Sequence, residues 1–144
     1  MPIATNPKNI ISTNYKGNVP RINIRFITNK KGKEEFSFPY EAILDSGSNI
    51  LQIPKDIADY IDLKTREEIK EITTAEGTKK KKIQIADNIS FEIWGDQISE
   101  SVRFNKEKAK IGEPYSDFLV GIPVFQDFIV VFKVSKKLTI LQPK

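Results

Sequence analysis

Apolar residues recur at every second position through much of this chain, and a period of two is the mark of half-buried strands. Ile22, Ile24 and Phe26 alternate with Asn23 and Arg25. Phe36, Phe38, Tyr40, Ala42 and Leu44 form a second set on one face. The polar stretch Thr28 to Lys33, with Gly32, separates the two and predicts a hairpin. Pro39 lies inside the second set, which places part of that strand at an edge or bulge. Ile83 and Ile85 alternate, as do Ile89, Phe91 and Ile93. Glu68 to Gln84 reads as a hairpin with Ala75-Glu76-Gly77-Thr78 at its tip. Val102 and Phe104 indicate a further strand. Phe128 to Phe132 is a continuous apolar run of the kind buried on both faces. Leu138 to Leu141 closes the chain as a last strand. Helical signals are confined to two short stretches, one opened by Pro54 and followed by Ile57, Tyr60 and Ile61, the other opened by Pro123. The expectation is a mostly β domain with two short helices.

The 144 residues suffice for one sizeable core. Hydrophobic residues make up 39% and charged residues 29%, which excludes a disordered chain. No apolar run approaches the ~18 residues needed to span a bilayer, so no membrane partner is expected. The first residues lack the basic and apolar regions of a signal peptide, and a cytoplasmic location is expected. There is no cysteine and no histidine. That excludes disulfides, thiolate nucleophiles, Ser-His-Asp mechanisms and the usual zinc motifs. Carboxylate chemistry is the main catalytic class left, and neither a metal nor a cofactor is expected. The net charge of +4 is small. Lys79 to Lys82 read as a solvated, edge-protecting strand face, and a nucleic-acid partner is not expected.

Asp45-Ser46-Gly47 stands where the second predicted strand ends. Alone, the tripeptide fits an ordinary turn. Its surroundings say more. Ile43-Leu44-Asp45-Ser46-Gly47-Ser48 is followed far downstream by Leu119-Val120-Gly121, which precedes Pro123 to Phe128. Between them lies a hairpin with Thr74-Ala75-Glu76-Gly77-Thr78 at its tip. In order and spacing these three features resemble the retropepsin-like aspartic proteases, over about Arg21 to Leu141. The resemblance implies a closed retropepsin-like acid-protease β-barrel with a flap hairpin, formed by residues 21–144. Residues 1–20 would be an N-terminal arm, with Ile10 and Ile11 pairing Leu138 to Leu141 in an interface sheet.

The resemblance also implies roles. One Asp-Ser-Gly copy implies a homodimer in which two copies of Asp45 meet. The catalytic carboxylate would be Asp45. Ser46 would tie the two loops together, Gly47 would give room and an N–H donor, and Ser48 would hydrogen-bond the outer carboxylate oxygen. Ala75, Glu76, Gly77 and Thr78 would cover a polypeptide substrate, and Ile50 and Ile122 would line its pockets. For those two isoleucines ordinary core packing is the equal alternative. The acidic residue and arginine that brace retroviral dimers are replaced by Asn49 and Ile122. That departure keeps a second reading open, a non-catalytic dimerisation or peptide-binding module with the same fold. The first reading is an aspartic endopeptidase hydrolysing peptide bonds.

Overall fold

The computed structural model describes residues 11–48, 50–96, 101–121, 125–126 and 128–143. Strands dominate. They are β1 (Ile11–Asn14), β2 (Arg21–Lys30), β3 (Lys33–Phe36), β4 (Tyr40–Leu44), β5 (Leu51–Pro54), β6 (Arg66–Thr74), β7 (Gly77–Trp94), β8 (Val102–Gly112), β9 (Leu119–Val120), β10 (Phe128–Lys133) and β11 (Leu138–Pro143). One helix, α1 (Lys55–Tyr60), follows β5 directly. Pro54 sits just before its first turn, where the missing N–H costs nothing. The second expected helix was to open at Pro123, and residues 122–124 and 127 lie outside the described residues. Among the described residues no helix is long and apolar enough to cross a membrane.

Eight strands form one sheet in the order β3-β2-β4-β9-β5-β8-β7-β6. A further antiparallel pairing joins β2 to β7, with Phe26 opposite Phe91 and Ile24 opposite Ile93. The succession of pairings from β2 through β9 and β8 to β7 therefore returns to β2. Inside lie Ile22, Ile24 and Phe26 of β2, with Phe91 and Ile93 of β7, all nearly inaccessible. Aromatic rings fill the rest. Phe26 stacks on Phe118 at 5.8 Å and Phe91 on Phe104 at 5.0 Å between centroids. Offset stacking of this kind adds to simple burial.

A second, three-stranded sheet has the order β1-β11-β10. Ile11 faces Leu141 and Asn14 faces Leu138, so β1 and β11 pair within one chain. Asp96 fastens β1 from the other side. Its carboxylate accepts the Thr13 hydroxyl at 3.1 Å and the Asn14 N–H at 2.6 Å. Ile11 and Leu141 are fully buried and belong to the same core as β2 and β7.

Three strand expectations need correction. Phe128 to Phe132 is not buried on both faces, since Ile129 and Val131 are exposed on β10. Phe36 to Leu44 is not one strand with one face. The ladder breaks at residues 37–39, where Ser37 takes over: its hydroxyl accepts the Phe26 N–H, and its own N–H donates to the Phe26 carbonyl. Pro39 has no N–H to continue pairing. Ala42 and Leu44 are buried, while Phe36 and Phe38 are exposed. In the opposite direction, the two alternating runs between Lys79 and Trp94 belong to one strand, β7. Register shifts around Ala86 and Ile89 change the parity between them.

Candidate active site

The chain leaves β4 at Leu44 and enters a short loop that carries Asp45. Strand β9 lies parallel to β4, with Leu44 opposite Val120, and antiparallel to β5, with Leu119 opposite Gln52. The loop from 45 to 50 thus spans from one flank of β9 to the other. Its backbone is held closely. The Ile43 N–H donates to the Phe118 carbonyl at 2.7 Å, Leu44 to Pro20 at 3.0 Å and Asp45 to Val120 at 2.9 Å. Ser48 N–H closes the turn on the Asp45 carbonyl at 3.2 Å.

The carboxylate itself is half-buried. Its Oδ1 accepts the Gly47 N–H at 2.9 Å. A Cβ on residue 47 would stand 3.3 Å from that oxygen, so glycine leaves the carboxylate its place. Among the described residues no other side chain is bonded to it. Ser46 is exposed at the head of the loop. Ser48 differs from expectation: its hydroxyl donates to the Ile50 carbonyl at 2.6 Å and not to the carboxylate. That bond satisfies a carbonyl within the loop, which would be costly to leave unpaired.

Gly121 packs against this loop from β9. A Cβ at 121 would lie 2.2 Å from the Ser48 carbonyl oxygen and 2.8 Å from Ser48 Cβ. Glycine is the residue that permits this approach. Asn49 and Ile122, the two positions that replace the dimer brace, lie outside the described residues.

The β6–β7 hairpin ends in a tight turn. Thr74 Oγ1 accepts the Glu76 N–H at 3.3 Å and donates to the Gly77 carbonyl at 3.2 Å. Gly77 has φ +118°, a conformation that side-chain-bearing residues rarely adopt. Ala75, Glu76, Gly77 and Thr78 are all exposed. Lower down, the hairpin and the Asp45 loop enclose a groove of about 640 Å³. Ser48, Ile50 and Gln52 line it from the loop and β5, and Ile72, Lys81 and Ile83 from the hairpin. Of the expected substrate positions, Ile50 lines this groove and the hairpin tip does not. Ile122 lies outside the described residues.

Sequence reading missed Gln52, Ile72 and Ile83. The signal for the isoleucines was present. Pairing puts Ile72 and Ile83 on one face of the hairpin, and Ile72 is 40% exposed among charged neighbours. Gln52 had no such signal; its amide donates to the Asp117 carbonyl at 3.2 Å and stiffens the groove floor. Lys79 to Lys82 are exposed, as a solvated face requires, and they lie where β7 pairs β6 alone, since its pairing with β8 begins only at Gln84.

No family model matches the sequence, and no curated protein matches it. The fold does have solved counterparts. A crystal structure of a retropepsin-like aspartic protease from Rickettsia conorii matches with a TM-score of 0.54 and 20% identity, covering 92% of this chain and 98% of that one. The chain therefore has a retropepsin-like fold.

Proposed function

We propose, with the retropepsin-like fold as premise, that this chain is an aspartic endopeptidase whose active site forms when the Asp45 loops of two copies meet. The observation that carries the reading is the loop itself. It presents one half-buried carboxylate, held at one oxygen by the Gly47 N–H, on a backbone pinned to β9.

Peptide hydrolysis needs a base for the attacking water and an acid for the leaving amine. One carboxylate does not fill both roles at once. Two held together do, because like charges at short range keep one proton shared between them. The ionised Asp45 takes a proton from water as its oxygen attacks the carbonyl carbon. The protonated Asp45 of the second copy donates to the carbonyl oxygen. Collapse of the gem-diol breaks the C–N bond: the carboxyl that took the water's proton gives it to the departing amine nitrogen, and the other carboxylate takes a proton back from a gem-diol hydroxyl. The two apparent pKa values belong to the pair.

Two features support a second copy. The chain carries a single Asp-Ser-Gly. The outer side of β10, next to β11, exposes Ile129 and Val131, at 51% and 44%. Apolar side chains grouped on one sheet face suit an interface. The β6–β7 hairpin would close over an extended peptide as a flap, with its turn held by Thr74 and Gly77.

The test is cleavage of a random peptide library by the wild-type protein and Asp45→Asn, at high protein concentration, from acidic to neutral pH. Cleavage by wild type alone is expected. Cleavage that survives in Asp45→Asn refutes the mechanism. A folded dimer with no cleavage by either protein moves the reading to a binding module on the same fold.

A further inference from the structure

The groove beside the Asp45 loop has an unusual electrostatic lining. Among the described residues, Lys70, Lys81 and Lys110 reach it from β6, β7 and β8, against a single carboxylate, Glu71. Among the described residues none of the three lysines is in an ion pair. Lys81 and Lys110 also line the adjoining groove along β5 and β8, so they stand on the ridge between the two.

The arrangement breaks a local rule. Lys70 and Lys81 are direct cross-strand partners. Like charges in that position repel and destabilise a hairpin. Lys30 and Lys33 also face each other, beside the β2–β3 turn, but there Lys30 is ion-paired with Glu35 at 3.8 Å. Arg25 faces Glu92 and is ion-paired with it, and Lys80 faces Glu71. Where a chain keeps a local conflict without an internal remedy, function is the usual reason. An anion lying between the two strands would supply the remedy.

We propose that this groove selects peptide substrates carrying an acidic side chain close to the scissile bond. The carboxylate sits among Lys70, Lys81 and Lys110, and its methylenes lie on Ile50, Ile72 and Ile83. Contact runs through Ser48 and Ile50, so the acidic residue lies within a few positions of the bond presented to Asp45. Among the described residues the groove holds no aromatic side chain on which a base could stack, which favours a peptide over single-stranded nucleic acid. The substrate part of this inference rests on the hydrolytic reading of Asp45.

The experiment uses two matched probe sets, at low and high salt and near pH 6, where a free glutamate is ionised. The first is a decapeptide library with its best-cleaved member resynthesised with Glu, Gln or Lys at each flanking position. The second is a pair of labelled octapeptides of Ala, Val and Leu with one Glu or one Gln, titrated by anisotropy against the full chain. The proteins are wild type, Lys81→Glu/Lys110→Glu and the neutral Lys81→Met/Lys110→Met, with folding checked by circular dichroism. The expected result is roughly a tenfold preference for Glu over Gln at low salt, weaker at high salt. The neutral pair loses it and the acidic pair favours Lys. Cleavage without that preference overturns the groove assignment and leaves Asp45 as read. No cleavage, with lysine-dependent Glu binding retained, overturns the protease reading and keeps the groove. Neither cleavage nor Glu preference overturns both. Tight, lysine-dependent binding of oligo-dT with no Glu preference assigns the groove to nucleic acid and overturns the proposal.

Discussion

Gly121→Ala isolates the packing that holds the Asp45 loop. The new methyl would lie 2.2 Å from the Ser48 carbonyl oxygen, and real Cβ atoms essentially never come within 3.0 Å of a neighbour. The loop must therefore retreat by roughly 0.8 Å or β9 must move with it. The atoms met are the Ser48 carbonyl group and Cβ, which no side-chain rotation moves. Overpacking of this kind costs about 1–3 kcal/mol. For a chain of this length that lowers Tm by roughly 5–10 °C. The displaced atoms belong to the loop that carries Asp45, and a misplacement near 1 Å costs on the order of a hundredfold in rate. Gly95→Ala is the control. Its Cβ would meet the Ser12 carbonyl at 2.1 Å, on β1 and not on the Asp45 loop. Both variants should lose similar stability in thermal melts followed by circular dichroism. Only Gly121→Ala should lose turnover per folded molecule, assayed at a protein concentration that saturates assembly. Wild-type turnover and Tm in Gly121→Ala would refute the packing argument.

Four further outcomes follow from single contacts. Ser48→Ala removes the hydroxyl bond to the Ile50 carbonyl and should cost about 1 kcal/mol in urea unfolding; an unchanged midpoint would mean the bond carries no net stability. Glu92→Ala strips the buried acceptor shared by Arg25 and Ser101 and should cost about 2 kcal/mol, with Arg25 still stacked over Phe36. Arg66 holds the carboxyls of Asp87 and Glu68 below their usual range by hydrogen bonding at the base of the hairpin. Their stabilisation is complete above the ordinary carboxylate range and fades as pH falls through the lowered values, so Arg66→Ala should lower Tm slightly at neutral pH and match wild type in acid. A gap that persists or widens in acid would refute that assignment. Val131→Lys, on the exposed side of β10, should weaken self-association in sedimentation and make activity more dependent on protein concentration, with the monomer's Tm within a degree or two of wild type.

What the sequence made legible was the periodic part. Ile22, Ile24 and Phe26 could be placed on a core face because alternation and burial coincide on β2. Phe36 and Phe38 share the parity of Ala42 and Leu44, yet lie on the far side of the break at Ser37. Parity cannot register a hydroxyl that substitutes for a ladder bond. The unity of β7 was hidden for the same reason, since its register shifts near Ala86 and Ile89 look like a turn between two strands. Strand β9 is only two residues long and has no period at all. Leu119-Val120-Gly121 could be singled out through resemblance, whereas the need for glycine at 121 is a matter of distance to Ser48. The Asp45 loop was legible as a motif. The groove beside it was not, because its walls come from the Asp45 loop, β5, the β6–β7 hairpin and β8, which lie apart in sequence.

The local conflicts of this fold are distributed unevenly. Glu92 is a carboxylate only 8% exposed, but Arg25 lies directly across the pair and Ser101 completes its bonding. Gly95 is pressed against β1, and the adjoining Asp96 gathers the N–H and hydroxyl groups that β1 would otherwise leave open. These conflicts are settled internally. Beside the Asp45 loop they are not. Lys70 faces Lys81 without a carboxylate between them, Ile72 stays 40% exposed, and one oxygen of Asp45 carries the only bond to that carboxylate among the described residues. Unfilled hydrogen-bonding, apolar and electrostatic capacity on one side of one loop describes a surface shaped for something that binds. On the proposed reading, the same three deficits would be met by a proton-sharing partner for Asp45, an apolar stem for Ile72 and an anion for Lys70 and Lys81.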